Sequence, residues 1–271
     1  ADGVYSAALL ASAFNVDEVV FPDIFGDYNE EDVALDLGKP LNPEYKGLVI
    51  DHHPHPETFT YKAILGDVPT GLIVWELWKD KIPREKWYYV AGALVGDGRG
   101  ELIPPVIWDA FPILREERSY QIKYSYGELK YYSYPLYRLL SSGINSLCRI
   151  GDPLTALKIV MRTSSPDKLF DVPVIKDAME QVRKEESRIL AESGVVLSIA
   201  PLVEYLEIET DLKLCGRLAS RLQGSNSNKT FIVLNRKNGS LSIRGDLAEW
   251  IKYRLGDTEF SECIGGHSGY M

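Results

Sequence analysis

The residues best suited to chemistry stand together in one short stretch of the chain. Asp51, His52 and His53 directly follow the apolar run Leu48 to Ile50, and the whole chain has only four histidines. Imidazole and carboxylate groups at this density bind metal ions or move protons. Two adjacent histidines after an aspartate, at the end of a buried strand, serve no structural purpose that other residues would not serve. We therefore interpret the triplet as functional, and His55, between two prolines, as a surface loop residue.

The elements that must position this triplet alternate between strands and helices. Short apolar runs rich in β-branched residues predict buried parallel strands at 17–21, 32–37 and 47–52. Helical periodicity predicts helices at 4–14, 71–79 and 86–95. The expected fold class is therefore α/β, with a mostly parallel sheet flanked by helices.

Four aspartates fall at the ends of these predicted elements. Asp36 and Asp51 end two strands, Asp97 ends a helix, and Asp2 begins the first helix. Ligands of an open α/β sheet bind beyond the carboxyl ends of its strands, so we expect these side chains to converge there. Converging carboxylates repel unless a cation neutralises them, and oxygen donors with imidazole suit Mn²⁺ or Mg²⁺, with zinc or iron as alternatives. Taken singly, Asp36 or Asp97 would be interpreted as a helix cap or turn residue.

The composition limits the class of protein. With 271 residues and 45% hydrophobic content, the chain is long enough for two domains. A formal net charge of −9 argues against a protein that holds long nucleic acid through its overall field. No apolar run has the length of a membrane span and the first residues lack a signal-peptide pattern, so we expect a cytoplasmic protein without a membrane partner. The three cysteines are expected to be reduced thiols.

The second half predicts a smaller α/β domain that follows a long helix. A Tyr-rich segment at 115–137 is interpreted either as a surface on which bases stack or as an amphipathic connection. A polar boundary at 164–173 precedes a charged helix at 174–193. Further strands and helices are predicted at 195–200, 202–209, 212–222, 230–235, 239–245 and 247–255. The expected organisation is a first domain at 1–165, a connection at 166–193 and a second domain at 194–271.

Motifs in a fixed order give the sequence a family resemblance. The segments "ADGVYSAAL", "ALDLG", "VIDHH" and "ALVGDG" resemble the four motifs of the DHH phosphoesterase family, in which "VIDHH" carries the triplet. "GINSLCRIGDP" at 143–153 resembles a segment of the RecJ-type exonucleases. "IGGHSGYM" at 264–271 resembles the glycine-glycine-histidine motif of the DHHA1 substrate-binding domain found in the family. The family's first motif has a histidine and an aspartate further upstream, which we expect before Ala1 in the full-length protein.

The resemblance implies a role for each matching residue. Metal ligation falls to Asp2, Asp36, His52 and Asp97, and Asp36 bridges two ions, which are Mn²⁺ or alternatively Mg²⁺. Asp51 orients the histidines, and His53 faces the substrate phosphate. The residues that the resemblance assigns to substrate binding are Asn145, Arg149, Arg244, Gly265, Gly266 and His267.

The functional hypothesis is metal-dependent hydrolysis of phosphodiester bonds in single-stranded nucleic acid or short oligonucleotides, by two-metal activation of water. A phosphodiesterase for cyclic or linear dinucleotides, or a phosphatase for 3'-phosphorylated nucleotides, is the alternative. A family II inorganic pyrophosphatase is disfavoured because the glycine-glycine-histidine motif stands where a basic pocket is expected. The alternative without catalysis is a degenerate family member that acts as a replication scaffold. A second copy of the chain and a replication or repair protein remain open as partners.

Overall fold

The chain forms two compact units. The computed structural model describes residues 1–21, 33–37, 45, 47–53, 62–124, 127–192 and 197–256. The first unit is Ala1–Cys148 with Asp152–Glu180, and the second is Arg149–Gly151 with the chain from Gln181 onward. The domain bounds drawn from the sequence stay a prediction. Across the described ranges, no helix is both long and apolar enough to cross a membrane.

A three-stranded parallel sheet lies in the first unit. Its strands, in spatial order, are β1 (Val33–Leu35), β2 (Leu48–Asp51) and β3 (Lys62–Leu65). The central strand β2 buries Val49, Ile50 and Asp51, as expected of a strand that has neighbours on both sides. The strand β3 was not among the predicted strands, because its sequence has only three consecutive apolar residues, Ala63 to Leu65. In the structure Lys62 and Leu65 are exposed.

The predicted strand at 17–21 is wrong. In the structure this segment follows the first helix and has no strand pairing among the described residues. Val20 is 37% exposed, and Asp17 and Glu18 are exposed as well. A β-branched run becomes a strand only where a neighbouring strand satisfies its backbone and one face is buried, and this run has neither in the described part of the chain.

Seven of the described helices lie wholly or almost wholly in the first unit. They are α1 (Asp2–Ala13), α2 (Thr70–Trp78), α3 (Tyr88–Gly96), α4 (Pro105–Ala110), α5 (Leu136–Arg149), α6 (Pro153–Arg162) and α7 (Pro166–Phe170). Short 3-10 turns lie at Arg84–Lys86, Gly100–Leu102 and Pro112–Arg115. The helices predicted at 4–14, 71–79 and 86–95 are confirmed as α1, α2 and α3. Helix α1 packs against α2, α3 and α6, and the buried rings of Tyr5, Tyr88 and Tyr89 fill the space between them.

The Tyr-rich segment forms an antiparallel hairpin of strands β4 (Glu117–Lys123) and β5 (Leu129–Pro135). One face turns inward: Ile122 is buried, and the rings of Tyr120 and Tyr132 stack with centroids 5.3 Å apart. The opposite face is open, and Tyr131 is 73% exposed. The segment therefore packs by one face, and both interpretations from the sequence, a base-stacking surface and an amphipathic connection, stay predictions.

The second unit is built on a four-stranded mixed sheet. Helix α8 (Pro173–Glu192) begins in the first unit and continues in the second. The strands follow in spatial order as β6 (Leu197–Ala200), β7 (Val203–Ile208), β8 (Thr230–Asn235) and β9 (Leu241–Arg244). Helix α9 (Cys215–Ser225) connects the parallel pair β7 and β8, and α10 (Ala248–Gly256) follows β9. These elements confirm the α/β fold class for this part of the chain.

A buried ion cluster fastens α8 to α9 within the second unit. The Glu186 side chain is 1% exposed, and its two oxygens lie 3.0 Å from Arg217 Nη2 and 3.2 Å from Arg221 Nη1. Apolar residues of α8, β7, α9 and β8, among them Val182, Leu218 and Val233, pack around the same interface. The Glu186 carboxylate is removed from water, and its ion pairs with the two arginines offset the free energy that this desolvation costs.

Candidate metal centre

Two parallel strands bring their terminal residues to one edge of the first sheet. Leu35 pairs with Ile50, and the amide of Asp36 donates a hydrogen bond to the Ile50 carbonyl at 3.2 Å. Asp36 therefore leaves β1 level with Asp51, the last residue of β2, and His52 follows one position later. The sheet register alone places this aspartate beside the histidine pair.

Asp36 adopts a backbone conformation that is unusual for a residue with a side chain. Its φ is +54°, in the left-handed region, and no other non-glycine residue described in the structure has a positive φ. The conformation costs about 1 kcal/mol and is held only where the surroundings determine it. Its carboxylate also lies close to α1, because a Cβ atom at Gly3 would be only 3.1 Å from Asp36 Oδ2.

Asp2 is held by the first turn of helix α2. Its Oδ2 accepts a hydrogen bond from the Thr70 amide at 2.7 Å, and its Oδ1 accepts from the Gly71 amide at 2.9 Å and the Ser6 hydroxyl at 2.9 Å. These amides belong to the N-terminal turn, whose N–H groups lack helical partners and attract negative charge. A Cβ at Gly71 would lie 2.4 Å from Ala93 Cβ, so glycine is what lets α2 approach closely enough.

Asp97 is placed by the way helix α3 ends. The Gly98 amide donates to the Val95 carbonyl at 3.1 Å, and the Arg99 amide donates to the Leu94 carbonyl at 2.8 Å. Gly98 has a φ of +76°. These two bonds around a left-handed glycine are a Schellman motif with Asp97 as the last half-helical residue. The glycine after the aspartate in "GDG" is therefore the residue that stops the helix.

Three carboxylates converge on the ring of His52. Its Nε2 lies 3.0 Å from Asp97 Oδ2, 3.2 Å from Asp36 Oδ1 and 3.8 Å from Asp2 Oδ2. The ligand atoms of Asp2, Asp36, His52 and Asp97 all lie within 4.8 Å of one another. A second set of ligand atoms, equally compact, joins Asp36 and His52 to Asp51 and His53. Asp36 and His52 thus belong to both sets.

The charged side chains in this group shift one another's pKa values. Burial raises the pKa of Asp2 well above its ordinary value, and the nearby carboxylates of Asp36 and Asp97 raise it further. Burial lowers the pKa of His52, but hydrogen bonds and attraction from Asp36 and Asp97 outweigh it and raise the pKa to about 10. Both shifts show that the site favours positive charge at its centre. Three carboxylates with one imidazole are a donor set that fits Mn²⁺ or Mg²⁺.

The side chain of Asp51 orients His53. Its Oδ1 accepts hydrogen bonds from the amides of His52 at 2.7 Å and His53 at 3.2 Å, and lies 2.7 Å from His53 Nδ1. Burial raises the pKa of Asp51, but these contacts to His53 and His52 outweigh it and hold the pKa at about 2. The carboxylate is ionised and fixes the ring through Nδ1, which turns Nε2 outward from this contact.

The remaining residues assigned from the sequence are distributed more widely. Asn145 lies on α5 in the first unit, and its Oδ1 is 2.5 Å from the nitrogen of Ala1, the residue before Asp2. Arg149 and Arg244 belong to the second unit, where the Arg149 carbonyl accepts from the Lys213 amide at 3.0 Å and Arg244 ends β9. Gly265, Gly266 and His267 lie outside the described residues.

Three residues of the site were missed by the sequence reasoning: Ser6, Thr70 and Gly71. The segment "PTGLIV" does contain a helix-start signal, because a proline and a small polar residue precede an apolar run. This signal does not reveal that the backbone amides at the start of the helix bind Asp2. Asp2 precedes Thr70 by 68 residues in the chain.

Comparisons with known proteins find similarity only in structure. No model of a known protein family matches the sequence, and no curated protein matches it. A structure of RecJ with Mn²⁺ from Thermus thermophilus aligns with 90% of this chain and 43% of its own, with a TM-score of 0.60 and 14% identity. RecJ with Mg²⁺ from the same organism aligns with 90% of this chain and 40% of its own, with a TM-score of 0.54 and 14% identity.

A structure of exonuclease RecJ bound to manganese gives a similar result. It aligns with 90% of this chain and 75% of its own, with a TM-score of 0.52 and 13% identity. The chain spans less than half the length of the two Thermus thermophilus chains. The mixed α/β fold of this protein is therefore similar to that of RecJ, and at this identity the likeness concerns the fold.

Proposed function

We propose that this protein is a metal-dependent phosphoesterase of the DHH type, which hydrolyses phosphodiester bonds from the ends of single-stranded nucleic acid or short oligonucleotides. The observation that carries the proposal is the convergence of Asp2, Asp36 and Asp97 on His52, with all four ligand atoms within 4.8 Å of one another. The names of the similar structures, RecJ with Mn²⁺ or Mg²⁺ and an exonuclease bound to manganese, support a nuclease over other phosphoesterases.

The residues that would hold the metal are Asp2, Asp36, His52 and Asp97. Asp36 and His52 belong to both compact ligand sets, and of these two only the Asp36 carboxylate has two oxygen atoms, so Asp36 is the residue that would be shared by two ions. Mn²⁺ is the proposed cofactor, and Mg²⁺ is the alternative. A divalent ion held by these residues would lower the pKa of a bound water and offset the charge that develops on the phosphoryl oxygens.

The protein's own groups prepare the site for an anionic substrate. The Thr70 and Gly71 amides fix the Asp2 carboxylate, so this ligand needs no rearrangement when an ion arrives. Asp51 fixes His53 through Nδ1, which leaves Nε2 as the atom we assign to a substrate phosphate oxygen. The side chains of Asp36, His52 and Asp97 are 15, 8 and 11% exposed, so the group is shielded from bulk water yet reachable.

The choice of substrate follows from charge. The chain carries a formal net charge of −9, so a long duplex held by many phosphate contacts is disfavoured. A strand end needs only a few contacts near the metal centre. The further residues proposed to bind it are Asn145, Arg149, Arg244, Gly265, Gly266 and His267.

Cleavage of defined substrates by the full-length protein tests the proposal. End-labelled single-stranded DNA, a short RNA and a dinucleotide would be incubated with Mn²⁺, with His52→Ala as the inactive variant and Cys215→Ser, in the second unit, as a control substitution. We expect mononucleotides to be released stepwise by the wild type and the control, and release by His52→Ala to fall at least about 1,000-fold.

Other outcomes would revise the proposal. Cleavage of the dinucleotide alone would indicate the dinucleotide phosphodiesterase. A 3'-phosphorylated nucleotide would be incubated as a further probe, and release of phosphate from it alone would indicate the phosphatase. Metal binding without hydrolysis of any probe would favour the scaffold, a protein that binds nucleic acid or a replication protein without cleavage.

A further inference from the structure

We propose that Arg99 binds a phosphate group of the substrate beside the metal centre; the inference rests on the proposed function and names a residue that contacts the substrate. Arg99 lies two residues after the candidate ligand Asp97. Its backbone is fixed, because its amide closes the Schellman motif with the Leu94 carbonyl at 2.8 Å. The arginine therefore leaves helix α3 at the same point as the ligand.

The guanidinium of Arg99 reaches a second segment that belongs to the site. Its Nη1 lies 3.5 Å from the carbonyl oxygen of Asp67. Asp67 is in the connection between β3 and α2, and the preceding residue, Gly66, donates its amide to the Asp51 carbonyl at 3.2 Å. Three residues further along, the Thr70 amide holds Asp2. The guanidinium thus lies between two segments that each carry or fix metal-site residues.

Exposure and orientation suit this group to a ligand from solvent. The Arg99 side chain is 28% exposed, and its Nε donates to Glu101 Oε1 at 2.7 Å, where Glu101 is itself 62% exposed. An ion pair this open contributes little to stability. It does hold one edge of the planar guanidinium, which orients the terminal N–H groups that pair with phosphate oxygens.

The negative charge of the site explains why a phosphate would need a cation such as Arg99. Asp2, Asp36 and Asp97 present carboxylates to the centre, and these repel a phosphate until a cation offsets them. The Arg99 guanidinium, two residues after Asp97 in the chain and 3.5 Å from the Asp67 carbonyl, is a permanent positive charge for a phosphate. It would act on substrate binding more than on the chemical step. We assign it to the phosphate next to the one that reacts.

The structure supplies a matched control. Arg118 is 33% exposed and pairs with Glu116, two residues away, at 2.9 Å, much as Arg99 pairs with Glu101. It lies on the hairpin strand β4. The full-length wild type, Arg99→Gln, Arg99→Lys and Arg118→Gln would be compared for Mn²⁺ affinity, melting temperature, hydrolysis of a single-stranded DNA 10-mer, and binding of inorganic phosphate to the Mn²⁺-loaded protein.

The expected result is a change in binding alone. Arg99→Gln should raise the KM for the DNA and the Kd for phosphate about 10-fold, with kcat changed less than about 3-fold, because one charged hydrogen-bonding group is lost. Arg99→Lys should lie between, since lysine keeps the charge and loses the fork. Arg118→Gln should match the wild type, and Mn²⁺ affinity and melting temperature should be unchanged in every variant.

Two results would overturn the inference: a KM and phosphate Kd of Arg99→Gln equal to those of Arg118→Gln, or a loss of Mn²⁺ affinity in Arg99→Gln, which would indicate a structural role. Failure of the proposed function looks different, because then the wild type itself hydrolyses none of the DNA. In that case the binding of inorganic phosphate still tests the role of Arg99. A loss of phosphate affinity confined to the Arg99 variants supports the assignment, and a wild type that binds no phosphate refutes it.

Discussion

Asp97 Oδ2 lies 3.0 Å from His52 Nε2, although one residue ends helix α3 and the other follows strand β2. The contact means that the helix must stop at the place where the strand stops. Two glycines set this place. Gly98 ends the helix with a φ of +76°, and a Cβ at Gly96 would lie 2.9 Å from Ala1 Cβ. The geometry of the candidate metal centre therefore depends on glycines that could not themselves bind a metal through a side chain.

Replacing Gly98 by alanine tests the helix end. An alanine with a φ of +76° is strained by about 1 kcal/mol, and relief of the strain would move Asp97. We expect the free energy of unfolding to fall by about that amount and the Mn²⁺ affinity to fall about 10-fold or more. Urea unfolding and calorimetric titration of Mn²⁺ measure the two effects.

Gly127→Ala is the control for that experiment. Gly127 also has a left-handed φ, +87°, and no atom lies within 4 Å of its added Cβ. It belongs to the hairpin connection, so a similar loss of stability is expected with unchanged Mn²⁺ affinity. Equal effects of both variants on Mn²⁺ would contradict the role given to the helix end.

Gly71→Ala tests the contact that holds Asp2. The new Cβ would lie 2.4 Å from Ala93 Cβ, so α2 must move away from α3, and the amides that bind Asp2 move with it. We expect a loss of about 2 kcal/mol in the free energy of unfolding, with weaker Mn²⁺ binding. Gly224→Ala on α9, where nothing lies within 4 Å, should leave both quantities almost unchanged. Gly71→Ala with wild-type Mn²⁺ affinity would show that Asp2 does not depend on this helix.

Glu186→Ala tests the ion cluster of the second unit. Removing a carboxylate that is 1% exposed leaves Arg217 without its 3.0 Å partner, and the expected loss is about 3 kcal/mol in urea unfolding. Glu76→Ala removes an exposed pair with Lys79 and should leave the free energy of unfolding close to that of the wild type, apart from the change in helix propensity. A loss below about 1 kcal/mol for Glu186→Ala would mean that water compensates the arginines.

The chemically informative part of the site is predictable from the sequence because it is local. Asp51 and the histidines directly follow an apolar strand, and Asp36 follows another, so strand ends and ligand types are read from neighbouring residues. Parallel pairing then brings the two ends together, as the bond from the Asp36 amide to Ile50 illustrates. The same local signals predict helices α1, α2 and α3.

The rest depends on contacts between distant residues. Nothing near Asp2 indicates that the amides of Thr70 and Gly71 hold it. The left-handed φ of Asp36 follows from its surroundings, because aspartate has no intrinsic need for it. The segment 17–21 has the composition of a strand, but its side chains are exposed or only partly buried, and no strand pairs with it among the residues that the structure describes. Propensity describes what a segment can form, and packing decides which form it takes.

Calorimetric titration of Mn²⁺ into full-length protein tests the central claim most directly. Wild type, Asp36→Asn and Asp211→Asn would be compared; the last removes a carboxylate that is 78% exposed in the second unit. The account predicts binding by the wild type and by Asp211→Asn with equal affinity, and a loss of more than about 100-fold in Asp36→Asn, since a direct ligand matters more than its supporting residues. A wild type that binds no Mn²⁺, or an Asp36→Asn variant that binds it equally well, would contradict the assignment of these residues to a metal centre.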